Sequence, residues 1–121
     1  MMSTDKEQIQ QTISHYADGG TNGEIEKVAR AFHPSAYMKF AKENVLVDVP
    51  INDYLLNYIK PGIVQERTIV VNYIDITGTA AAVKLTIDYS THQFVDYFNL
   101  VKTEGQWLIV SKIFHRINKQ E

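Results

Sequence analysis

The sequence predicts an α+β domain, and two observations carry that prediction. Apolar residues recur at helical spacing through the first part of the chain, and the second half reads as apolar strands divided by turn residues at 78–79, 91–92 and 102–105. Helices followed by antiparallel strands form the α+β pattern. The 121 residues suit a single domain, 1–121, large enough to bury a core without a metal or disulfide staple.

Ser3 or Thr4 caps the first helix, and Asp5 and Glu7 place negative charge at its positive end. Ile9, Ile13, Tyr16 and Ala17 form its buried stripe, and the helix is expected to end near Ala17. Residues 18–23, DGGTNG, read as a loop that lets two helices pair; a continuous helix through Gly19 and Gly20 would overturn the fold reading. Residues 24–32 read as the second helix, with Ile25, Val28, Ala29 and Phe32 inward and Pro34 closing it. His33 is then placed to cap the last carbonyls of that helix.

Residues 36–43 and 44–49 read as a small hairpin turning near 42–44, and 50–59 as a third helix stopped by Lys60-Pro61-Gly62. Four strands follow, at 63–77, 80–90, 94–102 and 106–117, with Thr91-His92 as a turn and Gly105 supplying the positive φ of the last hairpin. On the final strand, strict alternation puts Trp107, Ile109, Ser111, Ile113 and His115 on one face and Leu108, Val110, Lys112, Phe114 and Arg116 on the other. These strands carry more apolar surface than three short helices cover. A homodimer through the outer sheet face is therefore expected.

The absence of cysteine excludes thiolate metal sites, disulfides and cysteine nucleophiles, and fits a reducing compartment. A formal charge of −2 without a basic block argues against nucleic acid as a partner. No apolar segment approaches the roughly 18 residues of a membrane span, and the polar N-terminus has no signal-like core, so a cytoplasmic location is expected. His15, His33, His92 and His115 show no ligand spacing, and the glycines do not form a phosphate cradle. Neither a metal nor a cofactor is expected.

The order of helix, glycine-rich segment, helix, AFHPSA at 31–36, third helix and a strand meander carrying GQWLIV resembles the NTF2-like superfamily over nearly the whole chain. Within it, YADGGTNGEIEKVARAFHPSA and VDYFNLVKTEGQWLIVSKIFHR look most like the putative lumazine-binding and SnoaL-like branches. That resemblance implies a cone, with three N-terminal helices packed on a strongly curved, mainly antiparallel sheet around a pocket, commonly in a homodimer. The superfamily hosts isomerases, dehydratases, cyclases and binding modules, so the fold does not specify a reaction.

Tyr16 resembles the phenol that polarises the carbonyl in ketosteroid isomerase-like members, with a core tyrosine bonded to a backbone carbonyl as the alternative. The proton-shuttling aspartate of those members falls on Phe40 here, and Lys39 points the other way, so steroid isomerase activity is not expected. Asp96, the only carboxylate in the run 94–101, is either an acid with a raised pKa or a cross-strand partner of Lys112. His115 is either a pocket base or a structural histidine.

The resulting expectation is a domain that binds a small, partly aromatic or cyclic metabolite, with Tyr16, Tyr37, Phe40, Asp96, Trp107 and His115 as its contacts. One alternative is a cofactor-free cyclase, isomerase or dehydratase using Asp96 and His115 as its catalytic acid/base pair. Another is a ligand-free interaction module that recruits a partner on the exposed sheet. Convergence of Asp96 and His115 in a deep cone favours the enzyme, and a cone filled by side chains favours the module.

Overall fold

A computed structural model describes residues 3–120. The helices are α1 (Asp5–Asn22), α2 (Ile25–Ala29) and α3 (Ile51–Asn57); the strands are β1 (Phe32–Lys42), β2 (Val45–Pro50), β3 (Thr68–Thr77), β4 (Ala80–Asp88), β5 (His92–Thr103) and β6 (Gln106–Asn118). The strands form one sheet in the order β2-β1-β6-β5-β4-β3. Only β1 and β6 run parallel; every other neighbouring pair is antiparallel.

α1 starts at a capping box, in which Thr4 Oγ1 accepts from the Glu7 amide and Glu7 Oε1 accepts from the Thr4 amide, each at 3.1 Å. It does not stop near Ala17. The helix continues through Gly19 and Gly20 and ends at Gly23, whose φ of 66° and a Glu24 amide bond to the Gly19 carbonyl close it. The reason is packing: a Cβ on Gly19 would stand 2.8 Å from Val28 Cγ2, and one on Gly20 would stand 2.6 Å from Arg67 Nη2. These glycines admit close neighbours instead of breaking the helix. The continuous helix expected to overturn the fold does not do so, because reversal at Gly23 still sets α2 against α1 and the helical pair forms one turn later than the composition suggests.

α2 is correspondingly short. Phe32 opens β1, and Pro34 lies within that strand; His33 Nδ1 accepts from the Ser35 amide at 3.1 Å instead of capping α2. Residues 63–67, expected as strand, lie outside any regular element and β3 starts at Thr68, while His92 belongs to β5, where its ring stacks on Tyr89 at 4.5 Å. The expected hairpins at Glu43-Asn44, Gly78-Thr79 and Glu104-Gly105 form. Glu43-Asn44 and Glu104-Gly105 each adopt positive φ at both turn residues, which matches the right-handed twist of the flanking strands.

The sheet face toward the helices buries Met38, Val83, Leu85, Phe98, Leu100 and Ile109 against Ile9, Ile13, Tyr16 and Val28. Thr12 Oγ1 donates to the Trp107 carbonyl at 2.8 Å, and the Ile109 amide donates to the Ala31 carbonyl at 2.8 Å, fixing the helices over β6. Bulges interrupt β3 at Asn72 and β6 at Val110. Each adds a residue to one strand and increases its bend.

Gly19→Ala tests the packing account. In an open helix the change would gain about 1 kcal/mol from propensity. Here overpacking against Val28, typically about 1 to 3 kcal/mol, should outweigh it and lower the urea midpoint. A raised midpoint would contradict the close approach.

Candidate functional site

The Val110 bulge decides which side chains reach the interior. Ile109 is opposite Leu100 and Ser111 is opposite Asn99, leaving Val110 unpaired and shifting the alternation by one. Trp107 and Ile109 point toward the helices before the bulge, and Lys112 and Phe114 do so after it. Lys112 and Asp96 thereby share the inner face, paired in register with Phe98 and Phe114 respectively.

Asp96 is 1% exposed and Lys112 is 6% exposed. Their nearest charged atoms, Lys112 Nζ and Asp96 Oδ2, are 4.0 Å apart, and the Tyr16 hydroxyl donates to the same Oδ2 at 3.1 Å. Aromatic faces surround the ammonium: Nζ lies 4.7 Å from the Tyr54 centroid and 5.2 Å from those of Tyr16 and Phe114. Asp96 Oδ1 has no hydrogen-bond partner among the described residues. A buried carboxylate oxygen without a donor is costly, so this atom marks the polar end of the site.

Burial pushes the Asp96 carboxyl above the usual carboxylate range, opposed by the Lys112 charge, the Tyr16 hydrogen bond and Arg67. Burial, then the Asp96 charge and Tyr54, pushes Tyr16 well above the ordinary phenol value of 10. Tyr16 therefore remains a hydrogen-bond donor at neutral pH. The cluster can accept from a ligand donor at Asp96 and donate from Lys112 without solvent intervening.

The cluster opens on a cavity of about 140 Å³ whose walls include Tyr54, Tyr58, Arg67, Tyr89, Phe94 and Phe114. A mouth of about 340 Å³ adjoins it and shares Tyr54, Tyr58, Arg67 and Tyr89. The inner space is the size of a cavity that holds one benzene ring, and the mouth brings the whole into the range of small-molecule sites. Arg67 is fixed at their junction. It donates to Thr21 Oγ1 at 2.8 Å, the Tyr89 hydroxyl at 2.9 Å and the Ala17 carbonyl at 3.1 Å.

Of the residues expected in a pocket, Tyr16 and Asp96 meet. His115 does not join them: the bulge turns it to the outer sheet face beside Val95, where it is exposed. The expected acid/base pair of Asp96 and His115 is therefore not assembled. Tyr37 is also exposed, with the Lys39 ammonium 4.6 Å from its ring centroid. Phe40 packs on Phe114 at 4.5 Å, behind the cavity wall. Trp107 is buried at the opposite end of the sheet, where its indole N–H and Lys102 Nζ both donate to Asp5 Oδ1, at 3.0 and 2.9 Å.

Sequence reasoning missed Arg67, Tyr54, Tyr58 and Tyr89 as a group, and placed Lys112 only as a partner of Asp96. Tyr54 and Tyr58 stand four residues apart in the segment read as the third helix, but their convergence with Arg67 depends on how α3 and the 63–67 segment lie on the sheet. Among the described residues no cluster of three or more His, Asp and Glu side chains could hold a metal, and no helix is long and apolar enough to cross a membrane.

This architecture is that of the NTF2-like proteins. An NTF2-like protein of unknown function from Shewanella baltica OS155 is 32% identical, covers 95% of this chain and 98% of its own, and superposes with a TM-score of 0.82. Another from Methylobacillus flagellatus KT is 28% identical over 95% of this chain and 94% of its own, also with a TM-score of 0.82. A ketosteroid isomerase-like protein from Erwinia carotovora atroseptica SCRI1043, at 11% identity, 98% and 100% coverage and a TM-score of 0.76, shares the fold. Residues 4–115 match the family model described as "Putative lumazine-binding", and the chain belongs to that family. No curated protein matches the chain.

The Asp96–Lys112 pair yields a measurable coupling. Lys112→Met leaves a buried carboxylate without its counter-charge and should cost about 3 to 5 kcal/mol at neutral pH. Because Asp96 binds its proton more tightly folded than unfolded, its contribution is full below the unfolded value of 3.8 and is lost as pH rises through the raised folded value. The Lys112→Met deficit should therefore shrink on acidification. Asp96→Asn combined with Lys112→Met should cost clearly less than the sum of the two single changes. Additive losses in a denaturation cycle would show that the charges do not interact.

Proposed function

We propose that this domain binds a small, partly aromatic or cyclic metabolite in the cavity above Asp96 and Lys112. The observation that carries the reading is the buried Asp96, which lines an aromatic-walled cavity and whose Oδ1 has no hydrogen-bond donor among the described residues. A ring entering that space stacks among tyrosines and phenylalanines, and an N–H or O–H on its edge supplies the missing donor. The family description motivates lumazine, whose ring edges carry both donors and acceptors, as the first probe.

A second reading, proton-transfer catalysis without a cofactor, is supported by the Asp96 carboxyl being held above its usual range beside a phenol donor. In that reading Asp96 moves the proton and Tyr16 stabilises the developing oxyanion. Lys112 stands where His115 was expected.

Native mass spectrometry of freshly purified protein, followed by calorimetric titration with lumazine, tests the binding reading. Asp96→Asn should weaken lumazine binding about 10- to 100-fold, the range of one hydrogen bond to a charged group. His115→Phe, on the opposite sheet face, should leave it unchanged. If no molecule is carried through purification and lumazine does not bind, the reading fails.

We further propose that the chain forms a homodimer through the outer sheet face. Tyr37, Tyr97, Ile113 and Ile117 are exposed on β1, β5 and β6, an apolar surface of the kind a self-complementary interface covers. Light scattering at micromolar concentration should give twice the chain mass of 13.8 kDa. A mass of 13.8 kDa across that range would refute the dimer.

A further inference from the structure

The charges lining the site are unequal in a way that the aromatic walls do not require. Lys112 and Asp96 offset one another at the floor. Above them Arg67 lines both cavities and Lys60 lines the mouth, and among the described residues Asp96 is the only carboxylate lining either space. Arg67 makes no ion pair among those residues, although its guanidinium is held on three sides. Three of its five N–H groups are engaged, leaving one on each terminal nitrogen.

The surroundings reinforce the imbalance. Asp88, at the end of β4, is paired with Lys119 at 2.7 Å. His92 at the mouth is held below the ordinary imidazole value by burial, then by the Arg116 and Lys119 charges. Arg67 and Lys60 are thus the cations lining the mouth, and among the described residues no carboxylate lines it.

From this arrangement we propose that the site selects a monoanionic ligand, an aromatic ring bearing one carboxylate, with the carboxylate at Arg67 and the ring between Tyr54, Tyr89 and Phe94. The inference rests on the binding reading above and specifies its ligand class. A planar guanidinium with two unengaged N–H groups matches a carboxylate better than a flexible ammonium does. The three hydrogen bonds that fix Arg67 reduce the ordering cost of that contact. The ring leads inward to Asp96 Oδ1, so a ring hydroxyl or N–H opposite the carboxylate adds a second polar contact.

Benzoate, benzamide and benzamidinium have nearly the same shape and carry negative, zero and positive charge. Calorimetric or NMR titration of the wild-type protein at pH 7 with each should rank benzoate first, at least tenfold tighter than benzamide, and benzamidinium last. Raising the salt concentration should narrow the gap between benzoate and benzamide. Arg67→Gln should abolish most of that gap, while Lys60→Gln, at the exposed rim, should reduce it only slightly.

If benzamide binds as well as benzoate, selection by charge is wrong and the pocket reading stands. If none of the three binds and lumazine also fails, both readings fall. The wild-type ranking decides the matter even if Arg67→Gln does not fold.

Discussion

Lys112 carries an ammonium group into the wedge between helices and sheet, and the rest of the site depends on how that charge is accommodated. Asp96 supplies the counter-charge at 4.0 Å, the Met38 sulfur accepts from Nζ at 3.6 Å, and the faces of Tyr16, Tyr54 and Phe114 surround the rest of the ammonium. An apolar pair of similar volume at these positions would often be at least as stable, because desolvating two charges costs about as much as their attraction returns. Stability alone does not account for the pair. Its consequence is a polar floor in an otherwise aromatic cavity, with one carboxylate oxygen left to accept from something other than the protein.

The floor exists because of a single extra residue. Without the bulge at Val110, the alternation set by Trp107 and Ile109 would carry Ser111, Ile113 and His115 inward and turn Lys112 out. The bulge reverses this below Ile109 while leaving the upper strand packed on α1. One strand thus serves two ends of the molecule, one closed by Asp5, Lys102 and Trp107 and one lining the cavity with Lys112 and Phe114.

Arg67 links the helices to that cavity end. Its contacts with Ala17 and Thr21 reach the last turns of α1, which exist because the helix runs through Gly19 and Gly20. A side chain on Gly20 would displace the guanidinium. The glycine pair therefore shapes the cavity mouth as well as the packing of α2.

Composition, periodicity and turn chemistry determined the α+β class, the number and order of the main elements, the capping region at Thr4 and the tight turn at Gly105. Those features are set by neighbours in the chain, so they can be read locally. The burial of Tyr16 and the isolation of Asp96 in an apolar strand were visible for the same reason. Only the tertiary structure decided that α1 passes through its glycines, since the reason is the proximity of Val28 and Arg67. It also decided that His115 faces outward while Lys112 faces inward: a bulge is a property of two paired strands, and the residues of β6 taken alone contain no signal for the slip between Ile109 and Ser111.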